Sequence, residues 1–173
     1  RNDNEHLALA YYRIGVLHRP YQINKSISAF NEYISTNDTT YLNEVLYQLG
    51  YLYIETKRHK NAINSFEEYL SKGYKTHADE VQYQLGFLYI KNKQPKKAIA
   101  VYEQYLSGEV KEHSAVTQLN LGSLYLETKQ PFLALAAFEN ARQYPQYRQN
   151  IELLQTLKVL YQETVSEAKY IKF

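Results

Sequence analysis

The sequence predicts an all-α, right-handed solenoid of about four two-helix repeats, closed by a C-terminal capping helix. Three observations predict it. A glycine recurs at Gly15, Gly50, Gly86 and Gly122, separated by 35, 36 and 36 residues. An aromatic recurs at Phe30, Phe66, Tyr102 and Phe138, 36 apart each time. Apolar residues within a unit fall three and four apart, the spacing of one face of a helix. Two independent columns sharing one period are the mark of an internal repeat. Residues 43–57 (NEVLYQLGYLYIETK) and 79–93 (DEVQYQLGFLYIKNK) are identical at ten of fifteen positions, and residues 115–129 keep the Leu, Gly, Leu, Tyr and Lys.

The elements follow in order. Leu46, Leu49, Leu52 and Tyr53 define a first helix, and after a polar break Ile63, Phe66 and Leu70 define a second. The same spacing predicts helices near 5–18, 22–35, 41–55, 59–71, 77–91, 95–106, 113–127, 131–144 and 147–165. The repeats run over about 8–42, 43–78, 79–114 and 115–150, with the cap at 151–173 carried by Ile151, Leu154, Leu157 and Tyr161, all in one domain, 1–173. Pro95 and Pro131 stand where a second helix starts, a position at which a missing N–H is harmless. Gly73 and Gly108 follow second helices, and Thr76 with Asp79, echoed by Thr40 with Asn43, resembles a capping box. A mid-helix glycine costs roughly 1 kcal/mol against alanine. Its recurrence therefore implies close approach of the partner helix, with Ala62, Ala98 and Ala134 as the facing small residues.

Composition narrows the function classes. The 173 residues are 45% hydrophobic, enough for a core, and the net charge of +2 gives no footprint for nucleic acid or an anionic membrane. No apolar run approaches the roughly 18 residues of a membrane span, and the first ten residues lack a signal-peptide core, so the chain reads as soluble. Starting at Arg1 without any Met, it reads as a processed or excised piece. Absence of cysteine removes disulfides and thiolate chemistry. Nineteen tyrosines against no tryptophan is the oddest feature.

The Leu-Gly…Tyr…Ala…Phe pattern of Leu49, Gly50, Tyr53, Ala62 and Phe66 resembles the tetratricopeptide repeat signature, over about residues 8–145. The unit departs from it in being 36 residues rather than 34, and in placing Tyr33, Tyr69 and Tyr105 where the family has a small residue late in the second helix. Longer units of this kind resemble bacterial envelope proteins, which implies a periplasmic or outer-membrane lipoprotein setting, with the cytoplasm as alternative.

The resemblance implies a protein-interaction scaffold that holds a partner protein or peptide on a concave wall of first helices, with no catalysis, metal or cofactor. The wall positions, off the Leu/Gly/Tyr stripe, are Tyr12, Val16, Tyr47, Tyr51, Tyr83, Phe87, Leu119 and Ser123, flanked by Arg13, Gln48, Gln84 and Asn120. Rings there supply contact area and amides pair with a peptide backbone; alternatively the rings pack between neighbouring first helices. Glu44, Glu55, Glu80 and Glu127 nearby disfavour an acidic ligand, so a neutral or basic, apolar one is expected.

His77 and His113 recur at the period, but copies one helix-packing distance apart, roughly 8–10 Å, are too far apart for one zinc with bonds of about 2 Å. They read as solvated turn residues. Glu67–Glu68 reads as a solvated face. Lys57, Arg58, Lys60, Lys93, Lys96 and Lys97 form a basic ridge at the turns, which keeps the edge soluble or meets an acidic partner. An RNA-binding helical repeat and a recruitment module of a larger enzyme are the competing classes; weak charge and acidic wall residues count against RNA.

Overall fold

The computed structural model describes residues 2–107 and 111–170. Among these, the chain forms nine helices and no strand: α1 Asn2–His18, α2 Ile23–Ser35, α3 Leu42–Glu55, α4 His59–Ser71, α5 Ala78–Lys91, α6 Pro95–Leu106, α7 Ser114–Glu127, α8 Pro131–Arg142 and α9 Ile151–Tyr170. The expected boundaries agree to within a few residues except at the last connection. There α8 stops at Arg142, and α9 starts at Ile151 rather than near residue 147. Pro145 biases its predecessor away from helix, and Asn150 caps the new start, its side-chain oxygen accepting the Leu153 N–H at 2.8 Å. Pro95 and Pro131 open α6 and α8 as expected. Gly73 follows α4 with φ of 75°; Gly108 lies outside the described residues.

The chain divides into two compact units, Arg1–Leu88 and Tyr89–Phe173. In the first unit α1 packs on α2, α2 on α3 and α3 on α4. A Cβ built on Gly15 or Gly50 would meet the ring of Phe30 or Phe66 at under 3.0 Å, closer than real Cβ contacts come. The nearest atoms over these glycines are thus the rings and not the expected alanines; Ser26, one period before Ala62, is fully buried and its hydroxyl donates to the Gly15 carbonyl at 2.7 Å. In the second unit α6 packs on α7, α7 on α8 and α8 on α9, and the Phe138 ring fills the same place over Gly122. Gly86 is buried in α5.

The tyrosines that replace the small residue late in the second helices are core residues with one polar task. Tyr33, Tyr69 and Tyr105 are 0–2% exposed. Their hydroxyls accept the backbone N–H of the residue that opens the next first helix: Tyr41 at 2.8 Å, His77 at 3.1 Å and His113 at 3.1 Å. This corrects the capping-box reading at Thr40, since Tyr41 is the N-cap of α3 and makes no side-chain cap bond. A buried phenol replaces the local cap, so helix starts are set by tertiary structure. In the fourth repeat the column is Ala141, fully buried, and Asn150 takes over the capping.

A second set of phenols ties α3, α7 and α9 to the second helix before each. The Tyr53 hydroxyl accepts from Asn31 Nδ2 at 3.1 Å, and those of Tyr125 and Tyr161 donate to Glu103 at 2.5 Å and Glu139 at 2.8 Å. Burial and, next, the bonded carboxylate push the Tyr125 phenol well above its ordinary value.

Candidate functional site

Three of the wall positions expected on α1 and α3 line one hollow of the first unit, and Arg13, Tyr47 and Tyr51 do not. Tyr12, Val16 and Gln48 line a hollow of about 510 Å³ together with Arg19, Pro20, Ile23, Phe30, Glu44 and Glu55. Arg13, one residue along, is exposed and outside that lining. Its lining is apolar at Tyr12, Val16, Ile23 and Phe30 and carries oxygen acceptors at Glu44 and Glu55. Gln48 donates its Nε2 to Glu44 Oε1 at 2.5 Å, which leaves its buried Oε1 without a donor. Arg19 is the single cation of the lining, against Glu44 and Glu55.

The central aromatics are more heavily used by the fold. The ring of Tyr47 stacks on His77 at 4.1 Å and 20°, and meets Tyr51 edge-on at 5.0 Å. Tyr51 packs edge-on against Phe66 at 5.6 Å and donates its hydroxyl to Glu80 at 2.6 Å. Tyr12 stacks on Tyr41 at 4.2 Å and 7°, the same relation one repeat earlier. Burial is the leading cause that raises the Tyr12, Tyr47 and Tyr51 phenols above their ordinary value, and for Tyr51 the hydrogen bond to Glu80 adds to it. These three rings thus join one repeat to the start of the next. His77, expected as a solvated turn residue, is half-buried under Tyr47.

Tyr83, Gln84 and Phe87 lie on α5 within the first unit, with Gln84 donating to Glu80 at 3.0 Å and Phe87 44% exposed. Asn120, on α7, belongs to the second unit and donates weakly to the Tyr102 hydroxyl at 3.4 Å. Its neighbours Leu119 and Ser123 line a separate hollow of about 340 Å³, with Leu126, Tyr147 and Leu153 among the other walls. Sequence reasoning missed Arg19, Pro20 and Ile23, which belong to a turn and a helix start with no periodic signal. It also missed the ring-on-ring role of Tyr41 and His77, although the 36-residue spacing of those two positions was visible. Among the described residues no cluster of three or more metal-ligating side chains occurs, and no helix is long and apolar enough to cross a membrane.

Comparison with known proteins follows the same lines. Residues 44–71 and 79–107 match the tetratricopeptide repeat family model. No curated protein matches the chain. Among solved structures, MamA is similar with a TM-score of 0.69 at 19% identity, over 97% of this chain and 88% of its own. YrrB, described as a TPR protein with an unusual peptide-binding site, has a TM-score of 0.69 at 18% identity over 91% of this chain and 77% of its own. MamA from Desulfovibrio magneticus RS-1 has a TM-score of 0.65 at 19% identity over 96% and 90%. Two segments of the chain thus match the tetratricopeptide repeat model, and the chain has the fold of tetratricopeptide repeat proteins.

Proposed function

We propose that the chain is a non-catalytic scaffold that holds a neutral or basic, partly apolar segment of a partner protein against the first-helix face of residues 1–88. The observation that carries this reading is the hollow between α1 and α3. Its apolar lining at Tyr12 and Val16 suits an aliphatic or aromatic anchor, and its carboxylates, Glu44 and Glu55, suit backbone or lysine N–H groups. Val16, 47% exposed, and Phe87, 44% exposed, add apolar surface to the first-helix side. The fold shared with YrrB, whose structure is described as having a peptide-binding site, supports the same class of ligand.

The test uses short synthetic peptides that share an apolar core and differ only in charge, titrated by fluorescence anisotropy. Neutral and lysine-bearing peptides should bind, and glutamate-bearing ones should not. Val16→Ala should weaken binding with the melting temperature held, and Phe87→Ala should weaken binding of the folded fraction. Tyr51→Ala should lower binding and melting temperature alike, because its ring also packs on Phe66. A truncated anchor of this kind can cost about 2 kcal/mol of binding. Retention of full binding in Val16→Ala and Phe87→Ala would place the interface elsewhere, and failure of every peptide to bind the folded chain would overturn the reading.

A further inference from the structure

The connections that open α6 and α8 lie at one edge of the second unit. The Tyr105 hydroxyl accepts the His113 N–H and the Tyr125 hydroxyl donates to Glu103, so α6 runs antiparallel to α7, as α8 does across its short turn. The first turns of α6 and α8 therefore come to the side where α7 ends. Residues 91–97 and 127–133 share that edge and carry Lys91, Lys93, Lys96, Lys97 and Lys129, all exposed, against one carboxylate, Glu127. Both helices follow a glutamine that makes no side-chain cap bond, and the positive ends of their two dipoles add to the same sign.

One pair of residues on this edge breaks the repeat. The second and third positions of the second helices are Asn24 and Lys25, Lys60 and Asn61, Lys96 and Lys97, then Phe132 and Leu133, 36 residues apart each time. Three copies show that the fold takes polar side chains there. Phe132 and Leu133 are 50% and 47% exposed, so burial within the chain does not account for them. Leu133 also borders a hollow of about 280 Å³ between α6 and α8, whose lining includes Leu106, Leu121, Ala136 and Glu103.

We infer that this edge of the second unit binds the surface of an anionic lipid bilayer, with Phe132 and Leu133 entering the boundary between headgroups and acyl chains and the lysines meeting phosphate groups. Binding to a membrane surface draws on both the apolar area inserted and the attraction of cations to anionic headgroups. The net charge of +2 hides the feature, because the lysines that make it are gathered on one edge. An acidic helix of a partner protein would also suit lysines around an apolar pair, but laid in the hollow between α6 and α8 it would meet the Glu103 carboxylate. A flat lipid surface touches the edge alone. The contact lies in a different unit from the peptide hollow of residues 1–88, and its test is independent of the peptide titration.

The chain contains no tryptophan, so Phe132→Trp supplies a single reporter at the point of contact. With vesicles of equal parts phosphatidylcholine and phosphatidylglycerol, its emission should move to the blue and be quenched by bromine-labelled acyl chains. Vesicles of phosphatidylcholine alone should do neither, and neither should inorganic phosphate. Tyr21→Trp, at a position 86% exposed in the first unit, should stay unshifted throughout. In co-sedimentation with the anionic vesicles, Phe132→Ser with Leu133→Ser should cut partitioning about tenfold, the melting temperature being held because both side chains are half-exposed. Lys96→Gln with Lys129→Gln should weaken it to a similar extent. An unshifted Phe132→Trp with the anionic vesicles overturns the inference, as does an equal shift in Tyr21→Trp. A shift produced by soluble polyglutamate and not by vesicles overturns it too, and assigns the edge to an acidic protein.

Discussion

Each of the last three first helices before α9 ends on a lysine held in the left-handed region: Lys57 at φ 58°, Lys93 at 55° and Lys129 at 60°. The geometry is a closed C-cap. The Lys57 N–H donates to the Ile54 carbonyl at 2.9 Å and the next N–H, of Arg58, to Tyr53 at 2.8 Å, with the same pair repeated at residues 93–94 and 129–130. Glycine is the usual residue at this place because a Cβ crowds the following carbonyl, at a cost of roughly 1–2 kcal/mol. Part of that gain is offset by the greater freedom of glycine in the unfolded chain. Lys57→Gly, Lys93→Gly and Lys129→Gly should therefore each raise stability by about 0.5–1 kcal/mol in urea unfolding. The buried phenols predict the opposite sign. Tyr69→Phe removes the acceptor of the His77 N–H and should cost about 1 kcal/mol. Tyr33→Phe should cost more, because that hydroxyl also donates to Asp38 at 2.8 Å.

The helix pair is the element whose packing the glycine column controls. A leucine at Gly50 or Gly122 must displace the Phe66 or Phe138 ring, and both rings are buried. Overpacking of this kind costs typically 1–3 kcal/mol. Gly50→Leu and Gly122→Leu should lower the melting temperature correspondingly, with helix content by circular dichroism largely retained in the folded fraction. Substituting the ring in the same chain, as Gly50→Leu with Phe66→Leu, should recover part of the loss. No recovery would show that the glycine is needed for something other than the ring above it. Unchanged melting in both single variants would remove the glycine column from the packing account altogether.

Across the molecule the tyrosines set the response to alkaline pH. Tyr33, Tyr51 and Tyr125 are all pushed above the ordinary phenol value of 10.0, chiefly by burial, with the carboxylates of Asp38, Glu80 and Glu103 adding to it. A folded-state value above the unfolded one means that the folded chain binds more protons over that interval. Stability is then fully present below about pH 10 and falls as pH rises beyond it. Urea midpoints measured from pH 8 to 11 should be flat at first and then decline, and Tyr51→Phe should shallow the decline. On the acid side Asp38 acts with the other sign. The Thr40 N–H and the Tyr33 hydroxyl hold its carboxyl below its ordinary value, so its contribution is lost as pH falls through that lowered value.

The sequence by itself determined the repeat, the helical periods and the prolines that open α6 and α8. These are local or periodic properties, and a period copied along the chain is legible without contacts. What a given side chain does on its face was decided only by tertiary structure. Tyr33, Tyr69 and Tyr105 read as an anomaly against a family pattern until their hydroxyls were seen to cap the next helix eight residues on. Tyr51 sits in the same column as the exposed Val16, yet its ring and that of Tyr47 are absorbed by His77, Phe66 and Glu80. Ile14 and Leu17 of α1 have the spacing of Leu49 and Leu52 in α3, yet the first pair is exposed and the second buried, and spacing alone cannot tell the two cases apart. Burial depends on whether a preceding helix is there to cover it, which is a property of neighbours in space and not of the residues themselves.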